Sequence, residues 1–260
     1  MTIAHFKLGR KPRLRNPRVP HYSAIAAGAV APPVPAGVDW AAGVPADGFG
    51  TMLNDRLGDC TCAGFYHARQ VWTFNAAGKI DTEPDANVGL LYQRACGWNP
   101  ADPSTDQGGA EQDVLSYLMK VGAPIGAGGE SADRIAGFYE LDSKKVDDVK
   151  RAIYDCGVAY IGFDVPAYMP EQSGAVWDLG GGDPTIVGGH CVVLCGYDSA
   201  GATAISWGSK YRMTWRFFLQ FCDEAYGVID QSWVAATGRT PAGMSEEQTE
   251  EQMSALRAAA

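Results

Sequence analysis

Apolar residues recur at mixed helical spacing from Asp59 to about Ala76, with Ala63, Phe65, Ala68, Val71 and Trp72 as the repeating positions. Asp59 stands where an N-cap belongs, and Gly78 supplies a stop. The same reasoning predicts helices over about Ala86–Cys96 and Gly109–Lys120, the latter with Val114, Leu115, Leu118 and Met119 apolar and Gly122 just beyond. After Gly137 the pattern changes. One more helix, about Lys144–Tyr154, leads into a strand at Val158–Phe163. Further strands are predicted at His190–Tyr197 and Ala202–Trp207, separated by the turn Asp198-Ser199-Ala200-Gly201. Thr214 caps another predicted helix that places Trp215, Phe218, Leu219 and Cys222 on one face, and Ala225–Ile229 reads as a last strand.

A helical first half and a strand-rich second half predict an α+β protein of two lobes with a cleft between them. The boundaries fall at about 45–137 for the helical lobe and 138–235 for the β lobe. Residues 1–37 are rich in Pro, Ala, Gly and Arg without periodicity. They read as an extended arm that wraps either a partner or its own body. The tail from 238 to 260 is polar, acidic and partly helical, with Glu246, Glu247, Glu250 and Glu251 as a solvated face.

The chain is 260 residues long, 46% hydrophobic and 20% charged, so it can build a sizeable core without disulfide staples. Its net charge of −9 is unevenly spread. Lys7, Arg10, Lys11, Arg13, Arg15 and Arg18 make the arm basic, and the body is correspondingly more acidic. The body is therefore not expected to bind nucleic acid, whereas the arm suits an acidic partner. Seven cysteines, an odd number, argue against a disulfide framework and for a reducing compartment, cytoplasmic or virion-associated. The run Ala24–Ala31 imitates a signal segment. It lacks Leu and Phe and runs into Pro32 and Pro33, so secretion is not favoured. No segment predicts a membrane span.

The candidate chemistry begins at Cys60, two residues after Gly58 at the mouth of a helix. Unpaired N–H groups and the helix dipole there favour a thiolate and can hold an oxyanion. Gly58 lets the backbone approach a substrate closely. His190, opening an apolar strand after Gly188-Gly189, stands where its ring can serve as a base at the cleft edge. His67, two turns along the helix, reads as a packing histidine. Cys191 and Cys195 share a strand face but lie too far apart to share a metal or a disulfide. Neither metal nor cofactor is expected.

With these residues the chain resembles the papain family of cysteine peptidases. Val38-Asp39-Trp40 resembles the start of the mature family chain, and Asn54 and Gly58 hold the family's glutamine and glycine positions relative to the nucleophile. Gln107-Gly108-Gly109 resembles the glycine element that lines the substrate subsites. His190–Tyr197 matches the histidine strand at four positions, and Ile205-Ser206-Trp207-Gly208 resembles the Asn-Ser-Trp-Gly element. The resemblance runs from about Val38 to Gly208 and implies a papain-like two-lobed fold over 38–237, with an antiparallel β-barrel-like second lobe. It implies Cys60 as nucleophile, His190 as base, Asn54 in the oxyanion site, Gly58, Gly108 and Gly109 along the substrate cleft, and Trp207 as a shield. Cys62 is the competing nucleophile.

The chain also resembles a group of phage and bacterial proteins with an Asn-Asp-Arg-x-Gly-Asp-Cys motif, matched by Asn54–Cys60. The family's orienting asparagine falls on Ile205, which cannot hydrogen-bond an imidazole. A dyad, or a carboxylate such as Asp198, would then have to suffice. The arm is shorter than the family's usual inhibitory propeptide, which speaks against activation by prodomain removal. The leading expectation is a hydrolase of peptide or amide bonds acting on a peptide or protein. The alternative is a catalytically degenerate scaffold, a phage structural or capsid-decorating protein whose arm contacts an assembly partner.

Overall fold

A computed structural model describes residues 7–23, 33–172, 175–231, 233, 237–241 and 254. The Ala24–Ala31 run and the acidic tail glutamates lie outside these described residues. The main sheet has the strand order β4-β10-β5-β7-β8-β9-β6. Its members are β4 (Ile135–Glu140), β5 (Ala159–Pro166), β6 (Val176–Trp177), β7 (Ile186–Tyr197), β8 (Gly201–Ser206), β9 (Ser209–Thr214) and β10 (Cys222–Asp230). A short β1 (Val38–Asp39) pairs with the end of β7, and β2 (Ala123–Ile125) and β3 (Ser131–Asp133) form a separate ribbon. Neighbours pair antiparallel except β6 with β9, and β4 and β6 remain as edges, so the expected barrel-like lobe is an open sheet.

Each face of the sheet carries its own core. Alternation along β7 sends Cys191, Val193 and Cys195 to a core shared with α1 (Cys60–Ala77), α2 (Asp85–Cys96) and α3 (Glu111–Lys120). It sends Val192 and Leu194 to a second core with α4 (Val146–Cys156) and α5 (Trp215–Phe221). Helix α1 is the central element. Every residue from Cys60 to Trp72 is buried, which explains why its apolar positions show no clean stripe: it is surrounded rather than half-exposed. It ends at Gly78, left-handed with φ 70°, whose amide bonds Phe74 O at 2.8 Å.

Several expectations shift for physical reasons. Strand β7 begins at Ile186, four residues before His190, because β5 supplies its ladder as far as Pro166, which faces Ile186; the arm adds one bond, from Arg10 N to Gly189 O at 3.0 Å. Helix α3 begins at Glu111 because Gly109 is extended and pairs with the arm on both its N–H and its C=O. Thr214 does cap α5, accepting from Phe217 N at 3.2 Å. The helix nevertheless stops at Phe221, so Cys222 opens β10 instead of joining a helical face, and Leu219 is half-exposed. Asp59 precedes α1, but its buried carboxylate makes no capping bond. No helix among the described residues is long and apolar enough to cross a membrane.

Candidate active site

The site is a slot between the start of α1 and the first half of β7, and residues 7–11 of the arm run through it. Lys7 N donates to Asn54 O at 3.2 Å, Gly109 N to Gly9 O at 2.9 Å, and Lys11 N to Gly109 O at 2.9 Å. With the Arg10–Gly189 bond this is β-pairing of an extended segment on both walls, parallel at Gly109. The glycines make it sterically feasible. A Cβ on Gly9 would sit 1.8 Å from Gly58 O, and one on Gly108 would sit 2.0 Å from Gly9 O. Gly108 also has φ 74°, a conformation that favours glycine. Beyond the slot the arm continues over its own body. Arg13 pairs with Glu140, Glu140 N donates to Pro20 O at 2.8 Å, and Tyr22 stacks on Tyr139.

Cys60 is 1% exposed at the first position of α1. Burial pushes its thiol up to about 12, and the neighbouring Asp59 adds to this. The backbone amides of Cys191 and Gly9 pull the other way, which sets the sulfur beside the arm and beside the residue following His190. Asn54 is buried, and its amide donates to Leu57 O at 3.0 Å and to Lys7 O at 3.4 Å, so one of its bonds goes to a carbonyl of the arm. Gly58 is fixed by Asp106, which accepts from its N–H at 2.9 Å and from Tyr92 OH at 2.7 Å. Cys62 lies in the core with its sulfur 3.9 Å from Cys96 Sγ.

His190 is 1% exposed. Its Nε2 lies 2.7 Å from Ser206 Oγ, and its ring stacks on Trp207 with centroids 4.3 Å apart and planes 12° apart. Nδ1 is buried without a hydrogen-bond partner. Burial, then the proximity of His67 and of Arg10, pushes the imidazole down to about 3. Trp207 reaches this position through φ 45°, unusual for a bulky residue. It and Gly208 form the two-residue turn between β8 and β9, where left-handed backbone matches the strand twist.

Ser206 was not singled out from the sequence. Ile205, the residue at the motif's asparagine position, is fully buried in the α1-side core, and the next residue along the strand meets the imidazole. Asp198 does not reach His190. It closes the β7–β8 turn, bonding Ala200 N at 2.7 Å and pairing with Arg212. His67 packs as expected, its Nε2 3.0 Å from Gly50 O, with burial pushing it down to about 4.

Comparison with solved structures bears on the fold. Xylellain, a cysteine protease from Xylella fastidiosa, aligns over 87% of this chain and 97% of its own at 17% identity, with a TM-score of 0.62. Digestive procathepsin L 3 of Tenebrio molitor larval midgut covers 87% of this chain and 77% of its own at 16% identity, TM-score 0.57. Procathepsin B S9 from Trypanosoma congolense covers 88% of each at 12% identity, TM-score 0.58. No protein-family profile and no curated protein matches the chain. The fold is papain-like α+β.

Proposed function

We propose that this protein is a cysteine peptidase whose cleft is closed in the described state by its own N-terminal arm. The observation that carries the reading is the environment of His190. Ser206 binds Nε2, Trp207 covers that bond, and Nδ1 remains free of any partner. When Nε2–H donates to Ser206 Oγ, the lone pair is on Nδ1, the tautomer a general base requires. Cys60 is the nucleophile at the helix mouth, and Asn54 with the Cys60 amide serves the developing oxyanion. Gly58, Gly108 and Gly109 leave room for the backbone of a peptide, the role the arm itself fills now. Both partners are neutral while the arm excludes water, since burial raises the thiol and lowers the imidazole. Departure of residues 7–11 admits water and removes the Arg10 charge, which moves both groups toward an ion pair.

The test is thiol labelling with iodoacetamide near pH 6, mapped by peptide mass, on the full chain before and after limited proteolysis of the arm. The expected result is slow labelling of Cys60 in the intact protein and at least about tenfold faster, selective labelling after cleavage, lost in His190→Ala. Equal, slow labelling of all seven thiols in both states would rule the peptidase reading out.

A further inference from the structure

The arm does more than cover Cys60: it inserts one side chain. Arg10, the residue after the glycine beside the nucleophile, has a side chain only 2% exposed. Its Nη1 lies 2.6 Å from Glu224 Oε1 and 2.8 Å from Asp223 Oδ1, and its Nη2 lies 2.9 Å from Asp164 Oδ1. Glu111, 1% exposed at the start of α3, faces the same guanidinium electrostatically. Four carboxyl groups from three elements, α3, β5 and β10, thus surround a single cation.

The pocket has a shape as well as a charge. Its floor is Gly162, a glycine in mid-strand. A Cβ there would lie 2.4 Å from Glu111 Oε1, 2.5 Å from Arg10 Cδ and 2.8 Å from Glu224 Cγ. Gly189 forms a wall, where a Cβ would lie 3.0 Å from Arg10 Nε. Glu224 is braced from behind by Tyr226, whose hydroxyl donates to Oε2 at 2.9 Å. The resident occupant leaves part of the pocket unused: Arg10 Nε is buried without a hydrogen-bond partner, and the Glu111 carboxyl, with the Cys191 thiol against it, makes no bond to the guanidinium. Burial and neighbouring carboxylates raise both Glu111 and Glu224 above the usual carboxylate range, and Arg10 opposes this, so a cation in the pocket is what favours their charged forms. A guanidinium offers five donors in a planar fork, which suits carboxylates converging from several sides better than an ammonium does.

We propose that the pocket formed by Glu111, Asp164, Asp223 and Glu224 is an arginine-recognition subsite for peptide substrates, and that Arg10 is its resident mimic. This rests on the peptidase reading of Cys60 and His190. Because Arg10 directly follows the residue that lies on Cys60, the recognised arginine belongs within one or two residues of the scissile bond. Glu224 and Glu111 are the specificity-determining residues, and Gly162 keeps the pocket deep enough to admit the side chain.

The experiment uses the full chain with Arg10→Ala, which empties the pocket and leaves the arm backbone. N-acetylarginine amide is titrated against it and thermal unfolding is followed, with N-acetylcitrulline amide as the uncharged isostere. The arginine probe should bind at least about tenfold tighter and raise Tm, and Glu224→Gln in the same background should abolish the difference. Equal effects of the two probes, or none, overturn the inference. If Arg10→Ala does not fold, the wild-type chain decides: excess arginine probe, and not citrulline probe, should displace Arg10 and speed Cys60 labelling, and no difference overturns the inference. Hydrolysis of matched peptides by the Arg10→Ala chain after limited proteolysis of its arm, with Cys60 labelling measured in the same state, separates the two readings. Arginine favoured about 100-fold over citrulline near the cleaved bond supports both. Cleavage without that preference overturns the subsite and leaves the peptidase. Selective arginine binding with neither cleavage nor selective Cys60 labelling supports the pocket and removes the peptidase.

Discussion

The chemistry of the site turns on one hydroxyl. Ser206 Oγ is the only polar group bonded to the buried imidazole of His190 among the described residues, and when it accepts from Nε2–H it leaves Nδ1 free to accept a proton. Ser206→Ala should lower kcat for peptide hydrolysis about 10- to 100-fold with KM little changed, and Ser206→Thr, which restores the hydroxyl, should recover most of it. The pH dependence of Cys60 labelling should broaden in the alanine variant because Nε2 loses its hydrogen-bond partner. A Ser206→Ala enzyme with unaltered kcat and pH profile would show that the hydroxyl merely fills space. This residue was legible in principle. Adjacent residues of a strand face opposite sides, so when motif counting placed Ile205 at the orienting position, its neighbour was the one to ask about. Counting along a motif fixes a place in the chain but not the face of the strand. Here β8 turns Ile205 into the α1-side core and leaves Ser206, at the strand's last position, within reach of the imidazole.

At the scale of elements, the helices and central strands followed from periodicity because each buries a long apolar surface. The predicted ends of the first two helices lie within a residue of those of α1 and α2. What periodicity did not reach were pieces whose conformation depends on distant partners. Strand β9 (Ser-Lys-Tyr-Arg-Met-Thr) has the composition of a surface segment and is a strand because β8 supplies its ladder. Strand β4 contains Gly137, read as a boundary, which instead pairs with Ile229 of β10. The arm has no periodicity at all, and its order comes from backbone bonds to Asn54, Gly109 and Gly189. Two of its basic residues, Arg10 and Arg13, pair with carboxylates of the same chain's body.

The tightest constraint on arm docking is Gly9, where an added Cβ would fall 1.8 Å from Gly58 O and 2.2 Å from Gly58 C, backbone atoms at the start of α1 that have no room to yield. Gly9→Val should therefore expel the arm and leave the body folded. Two observations are expected together: trypsin cleavage after Lys7 or Arg10 in the variant under conditions where the wild type resists, and Cys60 labelling accelerated by at least about tenfold. Unchanged protease resistance would mean that the arm is held elsewhere.

For the molecule as a whole, the closed cleft should be an acid-sensitive state, and the sign follows from His190. Its pKa with the arm in place is about 3, depressed by burial, by His67 and by Arg10. Releasing the arm removes the Arg10 charge and part of the burial, so the open form has the higher pKa, up to the ordinary 6.5 or so. A group whose pKa is depressed in the closed form favours closure fully above its open-form pKa, and that contribution is lost as pH falls toward 3. Between pH 7 and pH 5 the open form takes up to one more proton than the closed form. At about 1.4 kcal/mol per pH unit below 6.5, this shifts the balance toward opening by up to about 2 kcal/mol, or about 30-fold.

His67 behaves differently. It packs against Gly50 and the Phe49 ring and touches the arm's balance only through its charge effect on His190, while its own low pKa destabilises the whole fold in acid. The two histidines can therefore be separated. Opening of residues 7–11, read as the exchange rate of the Arg10 and Lys11 amides relative to their intrinsic rate at each pH, should rise as the pH falls from 7 to 5 in the wild type. It should lose most of that rise in His190→Gln and keep it in His67→Gln. A pH-independent arm, or a rise that survives His190→Gln, would assign the acid response to the carboxylates around Arg10 instead of to the imidazole beside the nucleophile.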